Sequence, residues 1–378
     1  LRSVKIPSCR RPNPSWSEIH QAAFRKPKQA DLLSLKKTLT SSFYNKMEKF
    51  DVYGVCNPLI DLLSHVPDSF LQKRGIEKNM MHLISLEEQR ELLQALEAEQ
   101  ISVEFAAGGS GANSMIGIAQ LGGRVAFSGK IGRDEHGKIY REKLEDLGVS
   151  ARLGEADGNT GSSLILLSDD GARTMNTYLG MGQELQTQDI DPEVIQSSKY
   201  LYLTGYLWDT ESQKKAVLNA LDEAKKCKIK VALSLSDPFC VNRHKDDFKK
   251  LVQGYASMVF CNQEEAFALL ETNITQKAVE IFSQWTETAV LTLGSSGALI
   301  SHQGQISFID PLSIHVEDTT GAGDAFAAGF LYGMTHDLSP LDSGLIGTTM
   351  ASAVIEQTGP RYQGHAHTLI REKLGIKL

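Results

Sequence analysis

From Asp51 onward, apolar segments of two different periods alternate along the chain. Asp51–Leu63, Val125–Ile131, Tyr200–Leu207, Val231–Leu235, Met258–Cys261 and Ala289–Leu293 are apolar at most positions and read as buried strands. Helical segments fit between them. Ser85-Leu-Glu-Glu88 is a capping box that predicts a helix to about Glu99. Gly111–Leu121 reads as a helix closed by Gly122-Gly123, and Glu135–Leu147 as one ended by Gly148. Gln213–Cys227 and the stretch after Asn262 are further helices. This alternation implies an α/β fold, a doubly wound and mainly parallel sheet covered on both faces. One region departs from it. Ser162–Leu167 and Thr174–Tyr178 read as strands joined by Asp169-Asp170-Gly171-Ala172, a hairpin signal, and with the stretch near 62–82 they predict a small separate sheet. Ligands of open parallel sheets bind at the carboxyl ends of strands. Asn57, Asp61, Asn262, Gly294 and Asp324 all fall at or just after predicted strand ends, so they are expected to share one rim.

Composition changes this picture little. The 378 residues are 41% hydrophobic and 22% charged, an ordinary globular balance, and no apolar run approaches the roughly 18–20 residues that span a bilayer. Cys9, Cys56, Cys227, Cys240 and Cys261 are dispersed without a C-x-x-C pair, the usage of reduced thiols in a cytoplasmic protein. Charge is uneven. Residues 1–46 hold ten Lys/Arg and two Asp/Glu, a net of +8, whereas the remainder carries −15, for the overall −7. An acidic body argues against nucleic acid as the main partner. The basic front segment lacks strand-like alternation and is expected to be disordered or not native. Upstream sequence before a start at Met47 is the favoured reading, ahead of a presequence or a regulatory extension. Residues 47–378 are expected to form one domain.

The densest chemistry lies at Asp318-Thr-Thr-Gly321-Ala322-Gly323-Asp324, which opens an apolar helix from Ala325 to about Met334. Two glycines allow the backbone N–H groups of 321–323 to converge, and the helix dipole adds positive potential at the same point. Such an anion hole suits phosphate or a phosphoryl group in transfer. A carboxylate at its rim is electrostatically unfavourable unless Asp324 removes a proton from an attacking hydroxyl. An ordinary helix N-terminus with Asp in its first turn would read the same way.

Other candidates have paired readings too. Asp61 either binds two hydroxyls of a sugar or faces water from a strand end. Gly108-Gly109 either admit a ligand close to the backbone or serve packing. Ser114 stands where the third glycine of a dinucleotide fingerprint belongs, and there is no Walker A sequence. Asn262 and Glu265 lie three apart at a helix start, where they suit Mg²⁺ through water or a plain helix cap. Arg173, beside the hairpin, reads as a solvated turn residue rather than a phosphate clamp. The histidines lack ligand spacing; His365 and His367 read as surface.

Taken in order, five motifs resemble the ribokinase-like (PfkB) carbohydrate and nucleoside kinases. They are Gly54-Val-Cys-Asn57-Pro-Leu59-Ile-Asp61, Gly108-Gly109-Ser110-Gly111-Ala-Asn113, Asn262-Gln-Glu-Glu265, Thr292-Leu-Gly294-Ser-Ser-Gly297 and the 318–324 signature. The resemblance implies a ribokinase-like fold with a β lid, built from insertions at about 62–82 and 158–180. It implies ATP as phosphoryl donor, bound at Thr292, Gly294 and Gly297, with Mg²⁺ near Asn262 and Glu265. Asp324 would be the base, and Gly321, Ala322 and Gly323 would form the anion hole. Asp61, Asn57, Gly109, Ser110 and Asn113 would hold the acceptor, and Asp318 would help bind a monovalent cation such as K⁺.

The acceptor is left between two classes. Asn57-Pro-Leu-Ile-Asp61 and Leu233-Ser-Leu-Ser-Asp-Pro-Phe239 are similar to stretches of adenosine kinases, where Leu59 and Phe239 would wall a purine pocket. Asp237 and Gly180-Met181-Gly182 depart from that pattern. The favoured expectation is phosphorylation of the 5′-hydroxyl of adenosine or another purine nucleoside. A sugar kinase for ribose, fructose or a keto-deoxy sugar acid is the alternative, and a catalytically idle nucleoside- or sugar-binding regulator is the rival of another class. Monomer and homodimer both occur among the families it resembles.

Overall fold

The structure, a computed structural model, describes residues 49–376, so the expectation for the basic front segment lies outside the described residues. A nine-stranded sheet runs through the molecule. Its strands follow one another in space as Gln305–Ile309, Ala298–His302, Thr288–Thr292, Met258–Asn262, Lys230–Ser234, Ser198–Thr204, Phe50–Val55, Val125–Ser128 and Val149–Ala151. The strands from Thr288–Thr292 to Val149–Ala151 are parallel, and Ala298–His302 pairs antiparallel to both its neighbours. Apolar residues on both faces explain the near-continuous apolar runs. Val52 and Val290 point to one hydrophobic layer, with the helices Ser110–Gln120, Ala322–Thr335 and Pro340–Ile355. Tyr53, Val55, Ala289 and Leu291 point to the other, with Glu211–Cys227, Lys245–Gly254, Gln263–Leu270 and Thr275–Trp285. This is the expected doubly wound α/β architecture.

A second sheet of five strands has the order Met81–Leu83, Arg173–Gly180, Thr160–Leu167, Leu59–His65 and Glu104–Gly108. The expected hairpin lies within it, with Arg173 paired to Leu167. Two predicted strands turn out to be pairs of strands in different sheets. Asp51–Leu63 breaks at Cys56-Asn57-Pro58, so Phe50–Val55 belongs to the large sheet and Leu59–His65 to the second one. Val125–Ile131 breaks at Gly129, and Lys130–Gly132 pairs with Gly154–Ala156 in a two-stranded sheet. The two breaks touch: a β-carbon at Gly129 would lie 2.6 Å from Pro58 Cγ. The predicted strand Tyr200–Leu207 stops at Thr204 and continues as a 3₁₀ turn over Gly205–Trp208.

Local signals hold well. Ser85 Oγ accepts from Glu88 N–H and Ser85 N–H donates to Glu88 Oε2, capping Leu86–Ala98. The helix Ala322–Thr335 is seated by aromatic contacts. Phe330 meets Phe260 edge-on with centroids 5.7 Å apart, and Phe260 meets Tyr202 at 6.4 Å.

Candidate active site

Ala322–Thr335 begins at Gly321, whose φ of 72° lies in the left-handed region. A β-carbon at Gly321 would also collide with the Pro360 carbonyl, so glycine is required there twice over. The expected triple donor set is altered at one member. Ala322 N–H turns back onto Thr319 O at 3.3 Å, while Gly321, Gly323 and Asp324 N–H find no protein acceptor among the described residues. Gly323 is exposed, with nothing within 4 Å of where its β-carbon would be, so an anion can approach the helix end there.

Asp324 stands in the first turn. Its Oδ1 accepts from Ser110 Oγ at 2.6 Å and its Oδ2 from Asn113 Nδ2 at 3.1 Å. Both donors lie at the start of the helix Ser110–Gln120, which packs against Ala322–Thr335. Burial pushes the Asp324 carboxyl up to about 6, against the lowering effect of the two hydrogen bonds. Ser110 and Asn113, both expected to contact the acceptor, thus also hold the Asp324 carboxyl, and Asn113 Nδ2 keeps a second N–H.

Asp61 is the third residue of Leu59–His65, within the second sheet rather than at a strand end. Its carboxyl occupies the space that a β-carbon on Gly108 would fill. Burial pushes it up to about 7, with Arg361 and Arg173 pulling the other way and Asp324 adding to the rise. Asp61 lines a cavity of about 410 Å³, whose walls include Ile116, Ile165, Arg173, Arg361 and Tyr362.

Of the two arginines, Arg361 was not among the expected site residues. Arg173 is nearly buried and pairs with Asp318 Oδ1 at 3.3 Å, which corrects its reading as a solvated turn residue. Arg173 Nε and Arg361 Nη1 are buried without a hydrogen-bond partner. An Arg at a hairpin start and another near the chain end carry no local sequence signal.

Several expected contacts are drawn into the scaffold. Asn57 is buried; its Oδ1 accepts from Gln213 Nε2 at 2.6 Å and its Nδ2 donates to the Tyr206 carbonyl at 3.3 Å. A β-carbon on Gly109, at φ 91°, would lie 2.7 Å from the Asn57 carbonyl, so this glycine makes room for protein rather than ligand. Leu59 is half-buried and packs by Gly161. Phe239 is 45% exposed on the short helix Pro238–Arg243, away from the walls of the Asp61 cavity. That helix packs against Gln263–Leu270, on the Asn262 side of the sheet.

Asn262 and Glu265 form a reciprocal cap. Asn262 Oδ1 accepts from Glu265 N–H, while Glu265 Oε2 accepts from Asn262 N–H and its Oε1 from Asn262 Nδ2. Burial holds the Glu265 carboxyl up at about 8. Both Glu265 oxygens are engaged in this cap, which suits contact with Mg²⁺ through water rather than direct ligation, and among the described residues no three His, Cys, Asp or Glu form a metal-binding group. Asp318 does not fit a monovalent cation either. Besides Arg173, it accepts from Thr320 N–H, Thr320 Oγ1 and Gly359 N–H. Thr292 sits at its strand end in register with Asn262. Gly294, at φ 57°, is exposed and open, whereas Gly297, at φ 92°, abuts the Ile309 carbonyl.

Asp324, its hydrogen-bonded collar and the unused N–H groups thus meet at one helix end, with Asp61 within electrostatic reach. The arrangement can take a proton from a hydroxyl and steady negative charge beside it. The family described as pfkB family carbohydrate kinase matches residues 76–366. The solved adenosine kinase of Sinorhizobium meliloti is 36% identical with a TM-score of 0.80, over 86% of this chain and 99% of that one. A probable sugar kinase protein of Rhizobium etli CFN 42 is 34% identical with a TM-score of 0.81, over 86% and 99%. Adenosine kinase 2 of Arabidopsis thaliana is 25% identical over 332 residues, 82% of this chain and 94% of its own.

Proposed function

The chain belongs to the pfkB family of carbohydrate kinases and is a phosphotransferase with an alcohol group as acceptor; from that premise we propose that it phosphorylates the 5′-hydroxyl of a purine nucleoside, adenosine first. The observation that carries the phosphoryl-transfer chemistry is the Asp324 carboxylate, oriented by Ser110 and Asn113, at the start of a helix with free N–H groups. Asp324 takes the proton of the acceptor hydroxyl. Gly323 and the neighbouring N–H groups steady the transferring charge. Asp61, in its cavity, accepts hydrogen bonds from the sugar hydroxyls and fixes which hydroxyl meets Asp324. Thr292 and Gly294 line the ATP site at the adjoining strand end. Mg²⁺ comes with the ATP phosphates and meets Asn262 and Glu265 through water.

Adenosine is supported by the motif around Asn57 and Asp61 and by the likeness to the Sinorhizobium enzyme. A sugar acceptor is favoured by two observations. Phe239 stands exposed and is not among the walls of the Asp61 cavity, and the Arg361 cation lines that cavity. The test is ATP consumption by the full chain with adenosine, guanosine, inosine, ribose, fructose and a keto-deoxy sugar acid. Highest kcat/KM with adenosine supports the first reading. Highest kcat/KM with a sugar replaces it, and binding without turnover of any compound identifies an idle regulator.

A further inference from the structure

Asp61 stands on the second sheet and Asp324 on a helix packed against the large one, so their relative position is set where the chain crosses between the sheets. The crossings meet at one end of the second sheet. Leu59 is in register with Gly108 and Gly161, and Thr160 with Gly180, so four strands begin or end side by side there. Asn57 leads into Leu59–His65, and Gly182 follows Arg173–Gly180. A β-carbon on Gly182 would lie 3.2 Å from Asn57 Oδ1, so the outgoing and returning connections touch.

Gln213 ties both connections to the body of the molecule. It is fully buried in the first turn of the helix Glu211–Cys227. Its Nε2 donates to Asn57 Oδ1 at 2.6 Å and to the Gly182 carbonyl at 2.9 Å. The orientation is forced from both ends. A carbonyl can only accept, so Gly182 draws Nε2 of Gln213 toward it, and the Tyr206 carbonyl draws Nδ2 of Asn57, which leaves Asn57 Oδ1 for Gln213. The amide keeps this orientation although its own Oε1 is left buried without a partner. Two neighbours complete the dock. Thr210 Oγ1 donates to the Gln183 carbonyl at 2.9 Å, and Ser212 Oγ to the Leu185 carbonyl at 2.7 Å. Those two hold the returning connection, whereas Gln213 holds the outgoing one as well.

We propose that Gln213 is a positioning residue of the acceptor site, which locks the connection at Asn57 to the one at 182–185 and so fixes the strand that carries Asp61 relative to Asp324. This rests on the reading of Asp61 as the carboxylate that binds the acceptor. Asp61 is the third residue of its strand, so a shift at Asn57 is carried directly to its carboxyl.

The test uses the full chain with ATP, Mg²⁺ and whichever of adenosine, ribose or fructose is turned over fastest. Gln213→Met should raise the acceptor KM about tenfold while the KM for ATP stays within about twofold. Amide hydrogen exchange should quicken about tenfold over 56–60 and 180–185 and stay unchanged in Phe50–Val55 and Ser110–Gln120. Ser212→Ala, which loosens the returning connection alone, should quicken exchange over 182–185 and leave the acceptor KM within about twofold. In an Asp61→Asn background, Gln213→Met should raise the acceptor KM by less than about threefold more, since it acts through Asp61. If Gln213→Met does not fold, Gln213→Asn, which keeps the amide and draws it back by one methylene, carries the same test. An unchanged acceptor KM in the Gln213 variant, equal rises in both KM values, or exchange quickened evenly along the chain would overturn the proposal. A wild-type acceptor KM in Asp61→Asn alone, or no turnover with any acceptor, would remove the reading of the acceptor site itself and this inference with it.

Discussion

The carboxyl of Asp61 occupies the volume that a β-carbon on Gly108 would need, across the antiparallel pair of Leu59–His65 and Glu104–Gly108. The missing side chain of one residue thus defines where the carboxylate proposed to bind the acceptor stands. Gly108→Ala meets no backbone restriction, because Gly108 has no positive φ. It should displace the Asp61 carboxyl and raise the acceptor KM about tenfold or more, while the KM for ATP stays within about twofold. Steady-state kinetics with each substrate varied checks this; equal effects on both would point to a general loss of structure.

Asp61 also makes stability depend on pH. Its folded value is about 7, held up by burial, against roughly 3.9 in an unfolded chain. Between those values the folded state keeps a proton that the unfolded state has lost. Its contribution to stability is therefore present below about pH 4 and falls as pH rises toward 7. Asp61→Asn should stabilise the protein by roughly 1–2 kcal/mol at pH 8 and have little effect near pH 4. Thermal melts at the two pH values measure the difference. Wild-type acceptor binding should tighten as pH rises through about 7, where the folded carboxyl loses its proton.

Phe239 separates the two acceptor classes. Because it is largely exposed, Phe239→Ala should change stability by no more than about 0.5 kcal/mol. If a purine closes onto it, nucleoside affinity should fall by roughly 1–3 kcal/mol while ATP affinity holds. Titration calorimetry with adenosine reads the effect directly; unchanged adenosine affinity would remove Phe239 from the pocket.

Much of the fold could be read from the chain, because parallel strands buried on both faces leave near-continuous apolar runs and helices between them leave caps. Ser85 with Glu88 and the Asp169–Ala172 turn are local signals and survive intact. The reading failed where the backbone leaves one sheet for another within a short break. Asn57-Pro58 and Ser128-Gly129 carry turn signals, but the apolar runs on either side read as one strand, and the two crossings are buried and packed against each other. At the site, Asp324, Asp61 and the glycines were legible as motif residues. What each one touches was not. Asn57 turns to Gln213, 156 positions away, and Ser110 to Asp324, 214 away. Arg173 and Asp318 meet across 145 positions. Such pairings depend on which helices approach closely, and a single residue type does not announce them.

The central claim is that Asp324 is the base of the transfer rather than a helix cap. A first-turn carboxylate contributes about 0.5–2 kcal/mol to stability, whereas a general base contributes about 10²–10⁴ in rate. Asp324→Asn preserves shape and acceptor capacity toward Ser110. Measured kcat, with parallel titration of ATP and acceptor, is the decisive quantity. The account predicts that kcat falls at least a hundredfold while folding and both affinities survive, with ATP binding unchanged or tighter once a negative charge is gone. A variant that keeps more than about a tenth of wild-type kcat would contradict it.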